Sequence, residues 1–135
     1  MKFLDTNILL YSLSTAAGEA EKAARAREIL DGEDCALSVQ VLQEFYVQAT
    51  RPTRSDAISH ELAAAFMQSW LRFKVQETTL AVMQAALEIR AAHGFSYWDS
   101  AIIAAARALG CRELLTEDMA DGREVEGVMI RNPFR

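Results

Sequence analysis

Lys2-Phe3-Leu4-Asp5-Thr6-Asn7-Ile8-Leu9-Leu10-Tyr11 is the stretch that decides how this chain folds. A short apolar segment runs into an acid and two small polar residues, and an apolar run with helical character follows. A β-strand over 2–4 should therefore pass into an α-helix that starts near Asn7, with Asp5 at the turn between them. A carboxylate just beyond a first strand stands where an open α/β sheet presents its ligand-binding edge.

The same alternation continues outward. Glu19 to Leu30 is an alanine-rich helix with Ala23, Ala26 and Leu30 facing inward, ending near Asp31-Gly32. Arg27 borders that stripe and should lay its aliphatic stem along it while its guanidinium reaches water. Cys35-Ala36-Leu37 forms a second strand, and Ser38 has the chemistry to cap a helix from Val39 to about Thr50 that carries Glu44 in its second turn. That helix should stop ahead of Pro52. A further helix is expected after Ser55, with Ile58, Leu62, Phe66 and Trp70 as one buried face.

Phe73-Lys74-Val75 is a brief strand, and Thr78 or Thr79 opens a helix carrying Leu80, Met83 and Leu87 toward the core until His93-Gly94. Ser96 caps a helix through Leu109 whose stripe is Ile102, Ala105 and Leu109, with Asp99 in the first turn. Glu113-Leu114-Leu115-Thr116 and Gly127 to Arg131 complete the strands. Short strands alternating with helices predict an α/β domain with a short, mostly parallel central sheet, because parallel neighbours need crossover connections. At 135 residues and 51% hydrophobic composition, one domain over 1–135 is expected.

Composition narrows the function further. The apolar stretches are broken by charge, and Met1 to Leu13 contains Asp5 and lacks a signal-peptide cleavage pattern, which predicts a cytoplasmic protein without a membrane segment. Cys35 and Cys111 lie too far apart to suggest a disulfide framework or a zinc spacing, and read as reduced core residues. His60 and His93 read as surface or helix-end residues. No glycine-rich phosphate loop is present. The net charge of −5 counts against a nucleic-acid partner, yet setting the four candidate site acids aside from 19 leaves 15 acids against 14 bases. A bound divalent cation would reverse the local sign where a phosphate approaches. Candidate phosphate-contacting bases are Arg51, Arg54, Arg72, Lys74 and Arg90.

Asp5, Glu44, Asp99 and Asp118 stand at four separate element boundaries. Singly, each has an ordinary explanation: Asp5 as a helix cap, Asp99 as the acid of a Ser-x-x-acid capping box, Glu44 as a solvated helix residue, Asp118 as one turn residue beside Glu117 and Asp121. Together they would repel one another unless a cation or a basic group occupied the space between them. Hard ions such as Mg²⁺ and Mn²⁺ take oxygen ligands, and four acids are enough for one or two such ions.

In this order, the motifs Phe3-Leu4-Asp5-Thr6-Asn7-Ile8-Leu9, Ser38 through Glu44-Phe45, Tyr97-Trp98-Asp99-Ser100-Ala101-Ile102 and Leu114-Leu115-Thr116-Glu117-Asp118-Met119 resemble the PIN domain family, specifically the VapC-like toxins of type II toxin-antitoxin pairs. The resemblance implies a three-layer α/β/α fold and a Mg²⁺-dependent endoribonuclease, with Mn²⁺ as a substitute ion. It makes Asp5, Glu44, Asp99 and Asp118 the catalytic and metal-binding quartet, supported by hydrogen bonds from Thr6, Asn7 and Thr116. Within the quartet Asp5 and Asp99 are the surest ligands, and Glu117 or Asp121 stands as a substitute for Asp118. The resemblance further implies RNA hydrolysis leaving 5′-phosphate and 3′-hydroxyl ends, a cognate VapB-like antitoxin and a homodimer. Two other readings compete with it. One is a catalytically weak module that binds RNA or an antitoxin. The other is an aspartyl-phosphate phosphotransferase with Asp5 as nucleophile, disfavoured because Asn7 stands where such enzymes generally place a second Asp.

Overall fold

The computed structural model describes residues 1–135. Six strands form one sheet: β1 (Lys2–Leu4), β2 (Cys35–Ser38), β3 (Lys74–Gln76), β4 (Glu113–Leu115), β5 (Glu124–Val125) and β6 (Val128–Arg131). Their order across the sheet is β3-β2-β1-β4-β6-β5. All pairings are parallel except β5 with β6. The short antiparallel β5 was not anticipated: two residues supply too little alternation to register as a strand.

Six helices make the crossovers: α1 (Thr6–Ser12), α2 (Ala20–Asp31), α3 (Val39–Ala49), α4 (His60–Trp70), α5 (Leu80–His93) and α6 (Tyr97–Ala108). From β1 the chain steps outward to β2 and β3 through α1 to α4, then returns across the sheet to β4 through α5 and α6. With right-handed crossovers, opposite directions of travel put the two helix groups on opposite faces and give three layers. β1 pairs with β2 on one side and β4 on the other. The reversal of strand order therefore falls at the carboxyl ends of β1 and β4.

The caps follow local chemistry. Ser38, Thr79 and Ser96 each accept a hydrogen bond from a backbone N–H in the first turn of α3, α5 and α6. The fourth helix departs from expectation. It begins at His60 under a Ser59 cap, so Ile58 precedes it. Of the predicted buried face only Trp70 is buried, Ile58 and Phe66 are half-buried, and Leu62 is exposed.

The face of α5 is also corrected. Leu80, Met83 and Leu87 point to solvent, while Val82, Ala86 and Ile89 are buried. Both triplets satisfy helical spacing, and α5 packs against the alanine-rich α6, where the smaller residues allow close approach. That neighbour is buried without a break from Ser100 to Ala106. Arg27 is exposed as expected, and its Nε also donates to the Ser12 carbonyl at 2.9 Å. Cys35 and Cys111 are free and buried, and burial pushes both thiols up. No helix is long and apolar enough to cross a membrane.

Candidate active site

The register of the sheet builds the site. Leu4 lies opposite Leu115 in the β1–β4 pairing, and Asp5 N–H continues the ladder by donating to the Leu115 carbonyl at 3.0 Å. The next residues out, Asp5 and Thr116, are thereby set side by side, and Thr116 Oγ1 donates to Asp5 Oδ2 at 2.8 Å. The other carboxylate oxygen of Asp5 accepts from Thr6 N–H at 2.7 Å, so this residue does cap α1. Capping and site membership coexist because the two oxygens have different partners.

Asp5, Glu44, Asp99 and Asp118 line one cleft at this sheet edge, together with Thr6, Asn7, Gln48, Trp98 and two aliphatic side chains. Their depth is graded: Asp5 is buried, Glu44 and Asp99 are half-buried, and Asp118 is exposed at the rim. Asn7 ties rim to floor, its Nδ2 lying 3.0 Å from Asp118 Oδ2, 3.1 Å from Thr116 Oγ1 and 3.4 Å from Asp5 Oδ2. Thr116 Oγ1 also accepts from Asp118 N–H at 3.1 Å, which orients the turn carrying that acid. Thr6 Oγ1 donates to Glu44 Oε2 at 3.0 Å, joining α1 to α3. The Ser96 cap accepts from Asp99 N–H at 3.1 Å and fixes the first turn of α6.

No Lys or Arg lines the cleft. Burial therefore pushes the Asp5 carboxyl up from 3.8 to about 6; the Thr116 hydroxyl and Thr6 N–H pull it down, and the charges of Glu44 and Asp99 push it up. Asp99 is also raised, by burial first, against the pull of Ser96 and with the push of Asp118 and Glu44.

Glu117 and Asp121 do not share the cleft. Glu117 accepts from Tyr11 Oη at 2.7 Å and pairs with Lys22 at 2.7 Å. Partial burial pushes its carboxyl up, but Lys22 and Tyr11 outweigh that and hold it below its ordinary range. Asp121 accepts from Asn132 N–H at 2.8 Å and faces Arg135 at 3.5 Å. Both acids are committed to other partners, and Asp118 alone of the three reaches the cleft.

Among the candidate bases, Arg51 lines a groove that shares Glu44, Gln48 and Trp98 with the cleft, and Arg54 lines a depression that shares Asn7, Leu10 and Asp118. Arg72 is spent elsewhere, donating to the Leu30 and Ser69 carbonyls. One contributor was missed in the sequence: Gln40 donates to Glu44 Oε1 at 2.8 Å and lies 3.3 Å from the Trp98 carbonyl. Its four-residue spacing from Glu44 on one helix was the available signal.

An open parallel sheet with acids gathered at its strand-order reversal defines a class of α/β domains built around an acidic cleft. Residues 2–120 match the model of the PIN domain, and the chain belongs to that family. Among solved structures, it is similar to a toxin-antitoxin complex from Klebsiella pneumoniae, at 19% identity, TM-score 0.72 and 98% coverage of both chains. It is also similar to FitAcB from Neisseria gonorrhoeae, at 23% identity, TM-score 0.71 and 99% coverage of both chains. A third likeness is to the sarcin-ricin loop cleaving VapC toxin of Mycobacterium tuberculosis, at 21% identity and TM-score 0.65, covering 84% of this chain and 87% of that one. A comparison with curated proteins finds no match.

Proposed function

We propose that this chain is a metal-dependent endoribonuclease of the toxin-antitoxin kind, with Asp5, Glu44, Asp99 and Asp118 as its acidic quartet. One observation carries the reading: four carboxylates from four separate elements line a cleft that contains no basic side chain. Charge gathered in that way costs stability unless a cation balances it. No three His, Cys, Asp or Glu side chains are gathered tightly enough to enclose an ion alone. The carboxylate chemistry of the cleft fits Mg²⁺, a hard ion that keeps several waters and uses few carboxylates, with Mn²⁺ as a substitute.

Asp5 and Asp99 would hold the ion, with Asp118 as a further ligand and Glu44 as an outer one. When bound, the ion would supply Lewis-acid stabilisation of charge on the phosphate and lower the pKa of attacking water. The chain's own residues set the geometry. Thr116 and Thr6 orient the two oxygens of Asp5, Asn7 holds Asp118 against the floor, and Thr6 and Gln40 grip the two oxygens of Glu44. Glu44 would orient water and accept its proton. Single-stranded RNA fits best, because an unpaired backbone can reach a recessed site.

A partner protein is supported by a second surface. The displaced start of α4 leaves Ile58, Leu62 and Phe66 incompletely covered, in a groove with Leu13 and Leu30. The Klebsiella pneumoniae structure is a toxin-antitoxin complex. An antitoxin segment would seat apolar side chains in this groove and set a basic residue against the acidic cleft. The solvent-facing stripe of Leu80, Met83 and Leu87 on α5 offers an apolar surface for a homodimer.

Asp5→Asn and Asp99→Asn should each abolish Mg²⁺-dependent RNA cleavage while leaving the circular dichroism spectrum unchanged. Retained cleavage in either variant would sink the assignment. Growth arrest caused by the wild type but not by Asp5→Asn would separate the enzyme from a module that acts by binding alone.

A further inference from the structure

Beside the acidic cleft, an open groove follows the outer side of α3. Gln40, Gln43, Val47, Gln48 and Arg51 line it at the three- and four-residue spacings that align side chains on a helix, and Trp98 at the start of α6 joins them. Glu44, Gln48 and Trp98 line both groove and cleft, so the two are continuous. The Gln40 bridge to Glu44 and to the Trp98 carbonyl fastens α3 to α6 at their junction.

Trp98 is 64% exposed, whereas the chain's other tryptophan, Trp70, is 4% exposed and belongs to the core. The Trp98 indole packs edge-on against Tyr97 at 5.1 Å and keeps an exposed face beside the site, where it is available to stack on a planar ligand. Val47 at 56% exposure adds a second apolar surface in the same groove. Gln40 is occupied, but the carboxamides of Gln43 and Gln48 face the groove, each with donors and an acceptor. Its formal charges are one cation, Arg51, and one anion, Glu44. A near-neutral groove of this composition is poorly suited to tracking a phosphate backbone by charge. Its chemistry matches nucleobases, which offer a π-face to an aromatic ring and edges that exchange hydrogen bonds with carboxamides.

We infer that this groove is a base-reading subsite, in which Trp98 stacks an unpaired RNA base next to the scissile phosphate while Gln43 and Gln48 read its edge. Arg51 supplies a phosphate contact further along. The inference rests on the proposed RNA-cleaving function and adds the residues that choose where the strand is cut.

The test uses full-length Asp5→Asn protein, which should bind without cutting, and short homopolymers of A, C, G and U ribonucleotides. Saturable quenching of tryptophan emission is expected, with unequal affinities for the homopolymers. By anisotropy of labelled RNA, Trp98→Ala in the same background should weaken binding roughly tenfold, and Trp98→Phe should restore most of it. Gln43→Ala should even out the preference among bases while binding persists. If wild-type protein cleaves RNA but Trp98→Ala and Gln43→Ala change neither affinity nor preference, the subsite is refuted and the nuclease reading stands. If wild type fails to cleave with Mg²⁺ or Mn²⁺ yet binding depends on Trp98, the nuclease reading falls and the base-binding groove stands. Emission that shifts with protein concentration alone would make the groove an interface between copies and overturn the inference.

Discussion

Thr116 Oγ1 donates to Asp5 Oδ2 at 2.8 Å across a separation of 111 residues. The same hydroxyl oxygen accepts from Asp118 N–H and from Asn7 Nδ2, so one buried side chain serves three neighbours at the cleft. Thr116→Val keeps the shape and removes all three contacts. It should lower RNA cleavage by about tenfold to a hundredfold and shift half-maximal activity to higher Mg²⁺, as loss of a supporting partner does at metal sites. Rates measured across a Mg²⁺ titration check this, and an unchanged curve would remove Thr116 from the site.

Asp5 carries a pH dependence whose sign is opposite to that of a salt-bridged carboxylate. Its carboxyl sits at about 6 in the folded chain against 3.8 when unperturbed, chiefly through burial. The folded state therefore holds the proton more tightly than the unfolded state. Stability falls as pH rises from about 4 to about 6 and stays reduced above that range. Asp5→Asn should be the more stable protein at neutral pH by roughly 1 kcal/mol, discounting the full shift for the altered hydrogen bond to Thr116. Thermal melts across pH without metal should show the gap closing in acid; a variant less stable than wild type at neutral pH contradicts the burial argument.

Glu117 and Asp118 are adjacent in sequence and divided in role. Asp118→Asn should depress cleavage strongly, whereas Glu117→Gln should leave cleavage near wild type and mainly loosen the contact with Lys22 and Tyr11. The reverse ranking of cleavage rates would reassign the fourth acid.

The two stripes of α5 should separate in denaturant. Ile89→Ala removes buried volume and should cost about 2–4 kcal/mol. Leu87→Ser lies on the exposed stripe and should change the monomer by less than about 0.5 kcal/mol. Urea midpoints of both variants, at concentrations where the chain is monomeric, decide between the faces.

These cases show where sequence reading succeeds. The alternation of strands and helices and the caps Ser38 and Ser96 were legible because each depends on residues within a few positions. The inward face of α5 was not, since Leu80-Met83-Leu87 and Val82-Ala86-Ile89 obey the same period and only the packing partner chooses between them. The start of α4 slipped for a similar reason: Ser55 and Ser59 both have capping chemistry, and only Ser59 caps the helix. Gln40 escaped notice because its effect requires Glu44 and the Trp98 carbonyl to meet, a tertiary event. The exclusion of Glu117 and Asp121 from the cleft likewise depends on Lys22, Tyr11, Asn132 and Arg135, none of them neighbours in the motif.

The pairing of β1 with β4 also sets a timetable. The strand that brings Thr116 and Asp118 beside Asp5 is made 111 residues after it, and closing so long a loop is a late event in folding. A growing chain therefore carries no assembled cleft until β4 docks. If the proposed nuclease reading holds, that delay leaves the unfinished chain without the cleft that would cut RNA.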